Sequence, residues 1–283
     1  MIRFYLYRLK VEYTTWSESP FGAGSRRPSG IILSAVEEKP SRKIKNGPTW
    51  HIGNIQKITE KKILFALGKV TRATRKIYDE DAGDFIEEDS PDAPHTHVAI
   101  DLNLQVCAIA HEKRIDPRIN RIAKNLEKLL NESQETISKL LIFNLDGISN
   151  PDEFLNSVKS AKRITKFEMT LEPPNPIDVN KYHKAMKEYL RDIGADRGKF
   201  SASSTKGKAL NLEMVEESAR SAMSGGNEVR ATIQSTDNAK SISRKSGKDL
   251  LTVCVKSISS ETEKLKLFRE IESTYQQARK RVN

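Results

Sequence analysis

Apolar and polar positions alternate from Ile2 to Tyr13, the period of a half-buried strand, and predict a long strand over 2–13. Short apolar runs predict further strands at 31–36, at Ile63–Val70 and at Leu140–Leu145. His97–Ile100 and Val106–Ala110 read as a hairpin turning near Asp101-Leu102-Asn103. Between strands the period changes to that of helices. Ile119, Ile122, Leu126, Leu129 and Leu130 follow Asp116-Pro117, a cap followed by a first-turn proline. Asn150-Pro151-Asp152-Glu153 repeats that start before Phe154, Leu155 and Val158, with Glu153 spaced for a capping box.

The strand at Ile164–Leu171 is stopped by Pro173, Pro174 and Pro176. Asp178 caps a helix that ends at Gly194, and a strand over Gly198–Ser204 follows. Leu212, Val215, Ala219 and Met223 mark a helix ended by Gly225-Gly226. Strands at Glu228–Ser235 and Leu250–Lys256 bracket a polar turn. Ser260 and Glu263 have capping-box spacing and open a helix with Leu267, Phe268, Ile271 and Tyr275 on one face.

Runs of strands mixed with helices predict an α+β class, with mixed or antiparallel sheets, a central split βαβ-like region and a C-terminal α/β lobe. Three segments are expected: a basic β-rich region over 1–95, a central α+β core over 96–177 and a basic lobe over 178–283. No internal repeat shows at a fixed period. The chain is 37% hydrophobic and 30% charged over 283 residues, too apolar for wholesale disorder. No stretch approaches ~20 apolar residues, so no membrane insertion is expected. Arginines interrupt the first apolar run, which excludes a signal-peptide core there. Cys107 and Cys254 sit in apolar runs and read as reduced core thiols, so the expected location is cytoplasmic.

Charge changes the picture more than composition does. The chain carries 48 Lys and Arg against 38 Asp and Glu, a net +10 that invites an anionic partner. Residues 77–92 depart from that balance, with 8 acids and no base. That segment reads either as a solvated loop or as an acidic gate for a basic groove, anchored by Phe85 and Ile86.

No complete catalytic or metal site emerges, and no cofactor signature. His95 and His97 share a strand face with Asp101 nearby, a pattern for a metal. Glu37 and Lys39 have the Glu-x-Lys spacing of restriction-type nucleases, without a well-placed upstream acid. The 194–200 stretch follows a helix and puts Phe200 where a P-loop needs Ser or Thr. A metal-dependent nuclease or phosphoesterase is therefore the second reading.

Binding signals are fuller. Four hydroxyl-rich basic stretches carry Arg26 and Arg27; Arg42, Lys43 and Lys45; Lys206 and Lys208; and Lys240, Arg244, Lys245 and Lys248. Such side chains neutralise phosphates, and hydroxyls and glycine N–H groups add contacts. The 240–248 stretch is expected to be a protruding hairpin tip. Trp16, Phe21 and Trp50 are candidates for base stacking, although packing is the simpler role for each.

The stretches Ile63–Arg72, Pro94–Asp101 and Cys107–Ala110 with the helix to Leu130, together with Ile164–Asn175, Arg230–Ser235 and Asp249–Thr252, resemble the RexA family. Its namesake is the DNA-binding component of the lambda phage Rex exclusion system, and its relatives include phage-defence proteins. The resemblance implies a homodimer that binds duplex DNA with little sequence preference, and a partner protein from the same operon. The acidic run at 79–92 departs from that pattern. The leading expectation is a nucleic-acid-binding sensor or regulatory subunit, DNA favoured over RNA. A protein-only partner subunit is the third reading.

Overall fold

The computed structural model describes residues 1–13, 28–44, 47–81, 83–172, 183–195, 197–205, 208–236, 239–247 and 249–279. The chain begins with β1 (Ile2–Tyr13), α1 (Pro28–Glu37), β2 (Ser41–Lys43), β3 (Thr49–Thr59) and β4 (Lys62–Asp79). Next come β5 (Asp84–Asp92), β6 (His95–Asp101), β7 (Val106–Ala110), α2 (Ile119–Asn131) and α3 (Gln134–Ser138). β8 (Leu141–Gly147), α4 (Asp152–Lys159), β9 (Arg163–Leu171), α5 (Lys184–Asp192) and β10 (Gly198–Ser203) follow. The last elements are α6 (Leu212–Ser224), β11 (Val229–Gln234), β12 (Ile242–Lys245), β13 (Thr252–Val255) and α7 (Glu261–Arg279). The protein is α+β, with antiparallel pairings of β1 with β13, of β3 with β2 and β4, of β4 with β5 and β6, of β9 with β10 and β11, and of β11 with β12.

Two compact units divide the chain: one holds 1–10, 103–108 and 145–283, the other 11–102 and 109–144. In the second unit the strand order is β6-β4-β3-β2. Every position from Ile63 to Leu67 is buried, as in a strand covered on both faces. α1 and α2 both pack against β3. The 31–36 run is helical, not the short strand expected. Ile31, Ile32, Ala35 and Val36 are its buried residues, one face at helical spacing, and a run that short fits either period.

The acidic segment is a strand rather than the solvated loop expected. It forms β5, paired with the far half of β4 so that Arg75 opposes Glu88 and Lys76 opposes Glu87. At the tip Tyr78 and Phe85 meet edge to face at 5.2 Å and remain exposed.

In the first unit, β1 is flanked by β13 and β7, and Ile2 pairs with Val255. The strand around Leu250–Lys256 therefore pairs with the start of the chain rather than with β11. Cys107 is buried and its thiol is pushed up by desolvation, but Cys254 is exposed, against the core role expected of it.

A separate four-stranded sheet, ordered β10-β9-β11-β12, makes up the rest of this unit. Its core side carries Phe167, Met169, Leu171, Val229, Ala231 and Ile233 against Phe154, Leu155 and Val158 of α4 and Val215, Ala219 and Met223 of α6. Met186 and Leu190 of α5 join the same core. The helices thus share one face of the sheet, and the alternate residues of each strand are left for the other.

Helix ends follow the expected chemistry in part. Ser260 and Glu263 form the capping box of α7, and Asn211 caps α6 by accepting from the Met214 N–H at 3.1 Å. Gly226 takes φ +81°, and a Cβ there would lie 2.5 Å from that of Asp146, so only glycine fits. The caps expected from Asp116 and Asn150 are displaced. Each accepts a hydrogen bond from the N–H two residues on, while α2 and α4 begin at later residues without a side-chain cap. The prolines at 173–176 and the Asp178 cap lie outside the described residues.

Candidate nucleic-acid interface

Strand alternation sends Lys166, Glu168 and Thr170 of β9 to the helix-free side of the four-stranded sheet. Register extends that face strand by strand. Ser201, Glu168, Arg230 and Lys245 form one row across β10, β9, β11 and β12. Ser203, Lys166, Thr232 and Ser243 form the next, and Lys199 stands opposite Thr170. Lys166, Lys199, Arg230 and Lys245 are all exposed. Four strands at ~4.8 Å spacing make the face about 14 Å wide, and Lys199 to Ser203 covers about 13 Å along it.

Two carboxylates join the four cations in pairs. Glu168 Oε1 accepts from Lys166 Nζ and from Lys199 Nζ, each at 2.9 Å. Glu228 accepts from Lys245 Nζ at 2.5 Å and lies 3.7 Å from the Arg230 guanidinium. The hydrogen bonds from Lys199 and Lys166 pull the Glu168 carboxyl down to about 2, so it is ionised throughout the neutral range. The face is therefore cationic by two charges, with hydroxyls from Thr170, Ser201, Ser203, Thr232 and Ser243 between them. No aromatic ring stands in these rows, so the face offers phosphates charge and hydrogen bonds but offers bases no stacking platform.

The expected site residues scatter. Arg26, Arg27, Lys45, Lys206 and Lys248 lie outside the described residues, as do Trp16 and Phe21. Lys245 joins the sheet face. Arg244 is one residue out of phase, opposite buried Ala231, and so stands on the helix side. Residues 242–245 are an edge strand, so the protruding basic tip is not formed, and Glu228 neutralises Lys245 locally. Lys240 is exposed in the β11–β12 turn, and exposed Lys208 follows β10, its carbonyl accepting from Ser204 Oγ at 3.1 Å. Arg42 and exposed Lys43 belong to β2 in the other unit, where Arg42 pairs with Glu132. Lys166, Lys199 and Arg230 were missed because none lies in the four hydroxyl-rich basic stretches. Period-two alternation is the signal that finds them.

The metal reading loses its geometry. The rings of His95 and His97 are 6.1 Å apart, but Asp101 stands four residues beyond His97, about 13 Å along the strand. Asp101 is buried and pairs with Lys62 at 3.9 Å. Burial, then His95, pushes the His97 imidazole below its ordinary range. Glu37 ends a helix and pairs with Lys57, whereas the nuclease pattern needs it on a strand. Among the described residues no three His, Cys, Asp or Glu gather in a way that holds a metal. Trp50 is buried in its own unit and presents no ring for stacking.

Fold and face together define an α+β protein with an open, cationic, hydroxyl-rich sheet surface. Residues 25–271 match the family described as Domain of unknown function (DUF4747), and the chain belongs to that family. No curated protein matches it. Among the described residues no helix is long and apolar enough to cross a membrane.

Proposed function

We propose that this protein binds duplex nucleic acid, DNA before RNA, by its phosphate backbone and with little sequence preference. The observation that carries the reading is the helix-free sheet face with Lys166, Lys199, Arg230 and Lys245. A duplex strand presents a phosphate about every 3.4 Å of axis, so some 14 Å of face meets about four of them. The hydroxyls add neutral donors, and the lack of rings on the face favours a stacked duplex over splayed single strands. The net +10 of the chain adds long-range attraction.

The resemblance to the RexA family supplies the biological setting: a sensor or regulatory subunit in phage exclusion, dimeric and working beside a partner protein. The test is a mobility-shift titration with duplexes of unrelated sequence and with RNA. Equal affinity across sequences that falls steeply with salt supports the reading. No shift at 50 mM salt counts against it and favours an acidic protein as the partner.

A further inference from the structure

We infer that Glu168 and Glu228 are built-in competitors for phosphate, so that the face accepts polyanions with closely spaced phosphates and rejects isolated small anions. The inference rests on the nucleic-acid reading of this face.

Lys166 and Lys199 share one oxygen of Glu168, which places their ammonium nitrogens at most about 6 Å apart. That oxygen stands where a phosphate oxygen would bind both. The Glu168 side chain is 12% exposed against 46% and 65% for its two lysines, so the cations cover it from solvent. Glu228, itself half-exposed, pairs with Lys245 through one oxygen at 2.5 Å and with Arg230 through the other at 3.7 Å. Every cation of the face therefore already has an anion.

A free phosphate must displace a carboxylate tethered two residues from Lys166. A tethered group competes at an effective concentration of order millimolar or above. Exposed ion pairs are worth at most about 1 kcal/mol, so exchange of one partner for another is nearly neutral and a lone anion gains little. A duplex engages all four cations at once and releases counterions from several phosphates, which offsets both displacements. The carboxylates set a threshold that only a multivalent anion passes.

Glu168→Gln keeps the shape and removes the competing charge. At 0.1 M salt the variant should bind a 30-base-pair duplex three- to tenfold more tightly, with a salt slope steeper by about 0.9 for the one charge unmasked. Inorganic phosphate should compete at about tenfold lower concentration than against the wild type. Glu228→Gln should do the same, a second chance to see the effect if the first variant folds poorly. Duplex affinity and phosphate competition both unchanged, or weaker binding by variants that melt normally, overturn the inference. Lys199→Ala separates the two ideas. Weakened DNA binding there with no effect of either glutamine leaves the interface standing and removes the threshold. A wild type that fails to shift DNA at 50 mM salt removes both.

Discussion

The hydroxyl of Tyr275, on the last helix, accepts a hydrogen bond from the guanidinium of Arg8, on the first strand, at 3.2 Å. Both residues are fully buried. Arg8 also donates to the Leu104 carbonyl and to Gln105 Oε1, the latter at 3.5 Å. A buried cation depends on such acceptors, because removing one partner leaves desolvated donors behind.

Tyr275→Phe keeps the ring and deletes only the hydroxyl. It should cost about 1–3 kcal/mol. At about 2–4 °C per kcal/mol, the melting temperature should fall by several degrees. A urea midpoint equal to that of the wild type would show that Arg8 needs no acceptor from α7.

The start of α7 tests capping. Ser260 Oγ accepts from the Glu263 N–H at 3.3 Å, and Glu263 Oε2 accepts from the Ser259 and Ser260 N–H groups at 3.0 Å each. Ser260→Ala should cost about 1 kcal/mol. The backbone N–H of Ser260, first among its partners, holds the Glu263 carboxyl below its ordinary value. Its contribution is therefore full above the unfolded value of about 4.3 and disappears as pH falls through the folded one. The stability gap between wild type and Glu263→Gln, read from urea melts, should narrow between pH 6 and pH 3.

Strand and helix periods were legible in the sequence; partners were not. The alternation at Val253 and Val255 identifies a strand, but nothing local says that it pairs with Phe4 and Ile2. The Ile31–Val36 run was too short to separate the periods, and its β-branched residues favoured the wrong one. Counting charges along the chain found Lys245 because it lies in a basic stretch. It missed Arg230, which only sheet register brings beside Lys245, and Lys199, which register places on the same face at the opposite edge of the sheet. The same register places the acidic run in a hairpin, with positions 87 and 88 opposite positions 76 and 75.

Two histidines predict an acid-side weakness. Burial, then a neighbouring charge from His95 or Lys187, pushes His97 and His183 below the ordinary imidazole value. The unfolded chain then takes up protons near pH 6.5 that the folded chain resists, so stability falls as pH drops below that point. The urea midpoint should be lower at pH 5.5 than at pH 7.5. Replacing both histidines with Gln should shrink the difference; an unchanged difference would assign it to other groups.

The most direct test of the sheet interface is a salt titration of duplex DNA binding by the wild type and by a variant with Lys166, Lys199, Arg230 and Lys245 all changed to Ala, each checked by thermal melting. Four cations partly masked by two carboxylates should give a wild-type slope between about −1.8 and −3.6, or roughly a ten- to hundredfold loss of affinity from 50 to 200 mM salt. The variant should melt normally, bind unrelated duplexes equally weakly and show a slope flatter by a similar amount. A normally folded variant that binds DNA with the affinity and salt slope of the wild type would contradict the account.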